Sequence, residues 1–423
     1  MRQDHPIRTS TTGFGPALPH AADASRPLRQ QVLESVRAAG RVPRVQIAKT
    51  LGISPATVTT LTSELLDAQL LEEGTEPRGA SDPGRGRPPV ALRVRGAAHY
   101  VAGLKLSNRE HTATILTFAG DVIAEATAPG NGQAGDLESV LQTIQALLVQ
   151  VCETAALTPS DLSAVGIGLP GFVSHADGRI YWSSILLERN IDLAGAVSAR
   201  LGVPVSIDND ANLVALAELW FGRGRTLSDF AVVTIEYGVG MGLVLNNNLF
   251  RGSNELGLEL GHTKVQLDGA LCRCGQRGCL EAYVADYAMA REATTALNWT
   301  DGDARSMPVV LESLFNHAKA GNAAARTIFR RAGRYLAVGL ANVINLFDPE
   351  VIILSGEQLR FDYLYADDTL AELENLVIRT GRPLPKIEVH AWGDMLWAHG
   401  AAALALGTLT DRLMAAGKDI AAQ

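Results

Sequence analysis

Three of the four cysteines in this 423-residue chain form a C-x-C-x4-C cluster, Cys272, Cys274 and Cys279, and His262 stands nine intervening residues upstream. Three thiolates and one imidazole make a closed tetrahedral donor set, the usual arrangement of a structural zinc site. Gly275 and Gly278 allow the loop to turn sharply enough for the sulfurs to converge. A disulfide would leave an odd thiol, and three thiols this close in a chain expected to be cytoplasmic read as a metal site. Glu259 and Glu281 flank the cluster. A metal that stiffens a loop between two carboxylates is expected to help build a ligand pocket. Cys152, alone in a helical pattern, reads as a core residue.

The length calls for two or three domains. No apolar run reaches the roughly 18 residues of a membrane span. The polar N-terminus lacks a signal-peptide core, so the expected location is the cytoplasm, with no membrane partner. The net charge of −8 is unevenly spread. Residues 1–95 carry 13 basic and 9 acidic side chains (+4), and the remainder carries 24 and 36 (−12). A basic head on an acidic body suits a DNA-binding module fused to a soluble sensor.

Residues 1–25 have no periodicity and read as a disordered tail. Residues 26–95 read as a winged helix-turn-helix domain. A first helix from Arg26 shows Leu28, Val32, Leu33 and Val36 on one face and stops at Gly40. A second follows Pro43. Gly52 supplies a turn, Ser54 a natural N-cap and Pro55 a first helical residue. The third helix turns Val58, Leu61, Leu65 and Leu66 inward and Thr57, Thr59, Thr60 and Ser63 outward. Base and phosphate contacts are therefore assigned to Ser54, Thr57, Thr59 and Thr60. Beyond it, two strands around Gly84-Arg85-Gly86-Arg87-Pro88-Pro89 read as a wing, whose Arg85 and Arg87 suit a narrow minor groove.

From Tyr100 the pattern becomes strands alternating with helices, and it recurs after Phe230. This predicts two related α/β lobes, each opening with antiparallel strands. Lobe 1 is placed at 98–207 with closing helices at about 395–410, and lobe 2 at 208–394 with the cysteine loop.

Four motifs then occur in order: Gly166-Ile-Gly168-Leu-Pro170-Gly171, Asp208-Asn209-Asp210-Ala211-Asn212, Glu259-Leu-Gly261-His262, and the cysteine loop closing on Glu281. With these, the body over roughly 98–410 resembles the ROK family (repressors, open reading frames and kinases). The fold implied is a two-lobed α/β body of the actin/hexokinase-like (ribonuclease H-like) type. A winged helix in front resembles the family's sugar-responsive transcriptional regulators, since its kinases lack that head. The resemblance implies a sugar or sugar-derivative effector bound between the lobes by Asn209, Asp210, Glu259, His262 and Glu281. His262 would reach sugar with one ring nitrogen and zinc with the other. Asp210 would occupy the position of the kinases' catalytic base.

The chain departs from the kinase pattern at the nucleotide. The family's first phosphate loop, Asp-x-Gly-Gly-Thr, is here Lys105-Leu106-Ser107-Asn108-Arg109. The Gly-Thr of the second is Glu236-Tyr237, and a later Gly-Gly is Ser355-Gly356. Backbone amides approach phosphates closely only where no Cβ intrudes. The resemblance therefore implies a non-enzymatic repressor. The alternative is an ATP-dependent sugar kinase with degenerate loops. Ser184-Ile185 stands where the family often has Pro-Asn, and Glu188 or Arg189 is the expected substitute. The expected partners are double-stranded operator DNA and a second copy of the chain, as a homodimer or a tetramer.

Overall fold

The structure, a computed structural model, describes residues 13–17, 26–75, 90–297, 306–356, 367–378, 381–390, 393 and 395–420. Described residues up to 228, with 244–249 and the C-terminal stretch from 395, form one compact unit; residues 229–243 and 250–393 form the other.

The first unit begins with helix α1 (Leu28–Ala39), a short strand β1 (Val42–Pro43), α2 (Arg44–Leu51), α3 (Pro55–Asp67) and strands β2 (Leu71–Thr75) and β3 (Val90–Val94). The strands make an antiparallel sheet of order β1-β3-β2, so the wing has one strand more than its sequence pattern suggests. The expected wing tip, with Arg85 and Arg87, lies outside the described residues.

Strands β4 (Tyr100–Lys105), β5 (Glu110–Thr117) and β6 (Val122–Pro129) follow. Then come α4 (Leu137–Thr154), β7 (Leu162–Leu169), small strands β8 (Phe172–Ser174), β9 (Arg179–Trp182) and β10 (Ile191–Asp192), α5 (Leu193–Leu201), β11 (Val205–Asn209) and α6 (Asp210–Phe221). The main sheet has the order β11-β7-β4-β5-β6, with β4, β7 and β11 parallel and the β4-β5-β6 meander antiparallel. The small hairpin sheet β10-β9-β8 has no counterpart in the sequence reading.

The second unit opens with β12 (Phe230–Ile235) and the start of β13 (Val239–Leu245), while the end of β13 and the first residues of β14 (Asn248–Phe250) fall within 244–249. Helices α7 (Glu281–Val284), α8 (Asp286–Ala296), α9 (Met307–Lys319) and α10 (Ala323–Phe347) follow. Strand β15 (Val351–Ser355), α11 (Asp367–Leu376) and β16 (Lys386–Val389) complete it. Its sheet order is β14-β13-β12-β15-β16, with β12, β15 and β16 parallel. The last helix, α12 (Leu396–Ile420), returns to the first unit and runs beyond the expected end at 410.

Three expectations need correction. The units divide after 228, not at 207/208, because α6 belongs with the first sheet. Every residue from Ala211 to Leu219 is buried, so this helix is enclosed on all sides. The helix-turn-helix head is not a separate body either: Val32, Leu33, Ile47 and Leu65 share one apolar cluster with Val101, Phe118, Leu406 and Leu409. Finally, residues 13–17 of the expected disordered tail are in place, with Phe14 buried.

Helix α12 lies directly on the main sheet because two glycines face it. Gly103 on β4 and Gly166 on β7 are partners across the parallel pair. A Cβ on Gly103 would strike the backbone of Ala398 and Ala402, and one on Gly166 that of Ala401. The helix answers with Ala398, Ala401, Ala402 and Ala405, all buried. Neither side has a flexible group that could move aside. Gly166→Ala is expected to destabilise the chain by about 1–3 kcal/mol or more through overpacking, read from urea unfolding. A change below about 0.5 kcal/mol, the usual size of a surface substitution, would mean that the close approach is not required.

Candidate functional site

The head holds a helix-turn-helix arrangement. Gly52 closes α2 in the left-handed region, and Ser54 caps α3 by accepting from Thr57 N at 3.1 Å. Val58, Thr62 and Leu65 are buried, while Ser54, Thr59 and Thr60 are exposed and Thr57 is half-buried. The Thr59 and Thr60 hydroxyls donate to Pro55 O (2.9 Å) and Ala56 O (3.3 Å), so their oxygens remain able to accept. Thr62 points inward and accepts from Arg44 Nε at 3.0 Å, and Arg44 also pairs with Glu73 at 2.7 Å. This ties the helix pair to the wing.

The cysteine loop converges as its spacing predicts. One ligand atom from each of His262, Cys272, Cys274 and Cys279 lies within 4.8 Å of all the others. Cys272 Sγ is 3.7 Å from His262 Nδ1, and Cys274 Sγ is 3.7 Å from Cys279 Sγ. Sulfurs placed tetrahedrally around an ion at about 2.3 Å stand about 3.8 Å apart, whereas a disulfide needs about 2.0 Å. The donor set therefore fits a tetrahedral ion and not a bridge. Lys264 Nζ is 2.9 Å from Cys279 Sγ and so offsets thiolate charge.

Glu281 follows the loop and is buried. Its Oε1 accepts from the Tyr287 hydroxyl (3.3 Å) and from Cys272 Sγ (3.5 Å), and its Oε2 from Val239 N (3.4 Å). Glu281 thus joins the cysteine loop to the turn after β12. His262 is half-buried with Nδ1 toward the cysteines, which leaves Nε2 as the nitrogen for a ligand. Glu259 is exposed at the start of the turn that carries His262.

In the other unit, the start of α6 is fixed by a hydrogen-bond set. Asp208 Oδ1 accepts from Asn209 N and Asn212 Nδ2, both at 2.8 Å. Asn209 caps the helix through Oδ1 (2.9 Å from Ala211 N) and donates from Nδ2 to Gly171 O at 2.8 Å. Its amide is therefore occupied with positioning. Asp210 is left to present a carboxylate whose pKa is raised by burial; the Lys105 charge and the Ala211 amide act against the rise.

Lys105 itself is buried at the end of β4, its Nζ 3.6 Å from the centroid of the Trp397 ring. The loop after it folds back on its own amides. Ser107 N donates to His111 Nδ1 at 3.3 Å, and Arg109 N (3.3 Å) and Glu110 N (3.2 Å) donate to Ser107 Oγ. These donors would have to face a phosphate in a nucleotide loop. In the second loop, the Arg273 guanidinium lies between the rings of Tyr237 (3.8 Å) and Tyr287 (3.9 Å).

Sequence reasoning missed Asn108. Its Nδ2 donates to Ser184 Oγ at 3.4 Å, and its Oδ1 is buried without a hydrogen-bond partner. Glu188, an expected substitute for the absent amide at 185, spends Oε1 on Leu137 N at 3.3 Å, and its Oε2 is also buried without a partner. A Ser-Asn pair in a loop gives no pattern that would have marked this position.

With a cysteine loop in one unit and an Asp-Asn-Asp helix start in the other, the chain has the elements of an actin/hexokinase-like body. The family model for the ROK family matches residues 112–408, and the chain belongs to that family. It is 29% identical over 336 residues to the xylose repressor of Caldicellulosiruptor bescii, covering 77% of this chain and 82% of the relative. It is 28% identical over 325 residues to the N-acetylglucosamine repressor of Escherichia coli O6:H1, covering 75% and 77%. Among solved structures, a ROK family transcriptional regulator described as a homolog of the E. coli MLC protein superposes with a TM-score of 0.76 at 24% identity, covering 92% of this chain and 97% of that one. A ROK hexokinase from Thermus thermophilus superposes with a TM-score of 0.63 at 28% identity, covering 74% and 100%.

The purified protein is expected to hold about one metal ion per chain, measured by elemental mass spectrometry, and Cys274→Ser is expected to lose it. Full occupancy in that variant would remove Cys274 from the ligand set.

Proposed function

We propose that this chain is a cytoplasmic, zinc-containing transcriptional repressor whose ROK body takes a sugar or sugar derivative as effector, and that it does not transfer phosphoryl groups. The observation that carries this reading is the pairing of a helix-turn-helix head with a first phosphate loop whose amides are already bonded to Ser107 and His111. Relatives named as repressors, matched over three quarters of this chain, support it. Zinc is the ion assigned to His262, Cys272, Cys274 and Cys279, with the structural role of holding the loop that carries His262 and Glu281.

Operator DNA is assigned to Ser54, Thr57, Thr59, Thr60, Arg85 and Arg87. A single head of this size binds weakly, and a homodimer or a tetramer on paired half-sites supplies the affinity. The effector is assigned to Asp210, Glu259, His262 and Glu281, with Asn209 holding Asp210 in position. Without a base to be used, Asp210 accepts hydrogen bonds from ligand hydroxyls. The kinase reading keeps one argument, the family likeness to a sugar kinase. Sugar-dependent ADP formation that disappears in Asp210→Ala would promote it.

Replacing Arg85 and Arg87 together with Ala should weaken binding at all DNA sequences and reduce the salt slope by about one to two phosphate equivalents. Unchanged affinity and slope would make that segment a linker. Removing the charged partner of a buried hydrogen bond costs about 2–3 kcal/mol, or roughly 30- to 150-fold in affinity. Asp210→Ala should therefore blunt release from DNA by the sugar that releases the wild type, with binding in its absence retained. Release at the wild-type sugar concentration would show that Asp210 is not part of the sensor.

A further inference from the structure

Five residues of the N-terminal stretch join the DNA-binding head to α6. Phe14 N donates to Arg37 O at the end of α1 (3.1 Å), Gly15 N to Trp220 O at the end of α6 (2.6 Å), and Ala17 N to Arg225 O (2.8 Å). Arg225 closes the crossing from the other side, donating from Nε to Gly15 O at 2.9 Å and from Nη2 to Ala38 O at 2.8 Å. The Phe14 ring stacks on Phe221 (centroids 6.2 Å apart, 7° between planes) and packs on Trp220 at 6.0 Å. Gly120 gives it room, since a Cβ there would meet the ring at 2.7 Å.

Behind the ring lies Arg37, a buried guanidinium of α1. Its carbon sits 5.4 Å from the Phe14 centroid, 5.0 Å from Phe118 and 5.5 Å from Trp220, and Nη2 donates to Thr410 Oγ1 at 3.0 Å. Burial lowers its pKa only to about 10, so it remains a cation at neutral pH. One cation from the head is thus held among three rings, two from the lobe and one from the N-terminal stretch. A surface pocket of about 180 Å³ lined by Phe14, Arg37, Gly40, Arg93 and Asp121 opens beside it.

The same helix that ends in Trp220 and Phe221 begins with Asp210. Helices of this length are rigid, and a displacement at one end is carried to the other. We infer that Gly13–Ala17 is a strap that fastens the head to α6, so that effector occupancy at Asp210 reaches α1 through one helix and one aromatic side chain. The strap is legible in geometry alone; its regulatory meaning rests on the functional reading above. Coupling of this kind requires a physical element that both sites bias, and α6 is that element.

The test uses the full chain and Phe14→Ala. Hydrogen exchange of the free protein is the first arm. The variant should exchange α1 amides at least tenfold faster, with α4 unchanged. Unchanged α1 exchange, or an increase spread evenly over α1 and α4, would overturn the strap. If Phe14→Ala does not fold, Arg225→Lys removes the bonds to Gly15 and Ala38 while keeping the charge, and the same two outcomes decide. The second arm measures release from a duplex that the wild type selects from a random pool, with D-xylose and N-acetyl-D-glucosamine as probes. Phe14→Ala should bind the active sugar with an unchanged thermal shift but need at least tenfold more of it for release. Wild-type release by the variant would overturn the coupling. If neither sugar releases the wild type, that counts against the functional reading alone, and the exchange arm decides the strap.

Discussion

The carboxylate of Asp208 fixes where α6 begins. By accepting from Asn209 N and Asn212 Nδ2 it sets the turn from β11 into the helix, and Asn209 then caps it and reaches Gly171. The position of Asp210 follows from that turn. So does the direction of the helix, which is buried from Ala211 to Leu219 and ends among Phe14, Arg37 and Trp220. A buried polar network that is fully satisfied specifies one geometry, because every alternative leaves a donor or acceptor unpaired. Asp210 and the seat of the helix-turn-helix head are thus two ends of one element.

The segments aligned with the family's phosphate loops are closed by bonds within the chain. The strand and turn around 105–110 remain, but Lys105 now lies against Trp397, and Ser107 gathers the amides that a phosphate would need. Arg273 between Tyr237 and Tyr287 fills the neighbourhood of the second loop with a stacked cation. Each of these groups thus has a partner within the chain. The cysteine loop, in contrast, keeps all its donors and links through Glu281 to Val239.

Local patterns carried much of this into the sequence. The C-x-C-x4-C spacing with His262, the Ser54-Pro55 helix start after Gly52, and the apolar strands 230–235 and 351–355 each depend on neighbours in the chain. What was not legible depends on distant partners. Phe14 is an isolated aromatic in a polar stretch, and its role comes from Arg37 and Trp220. The division after 228 comes from α6 packing with its own unit, which no local composition change marks. Asn108 becomes notable only because Ser184 is beside it and its Oδ1 lacks a partner.

In the proposed function, sugar binding, and not phosphoryl transfer, is the event that this body passes to its helix-turn-helix head. The most direct measurement is operator-duplex anisotropy during a sugar titration, run with and without ATP and Mg²⁺, with sugar phosphate assayed in the same samples. The expected result is release by sugar alone, at the same midpoint in both series, with no sugar phosphate formed. Release that requires ATP and proceeds with sugar phosphate would contradict it.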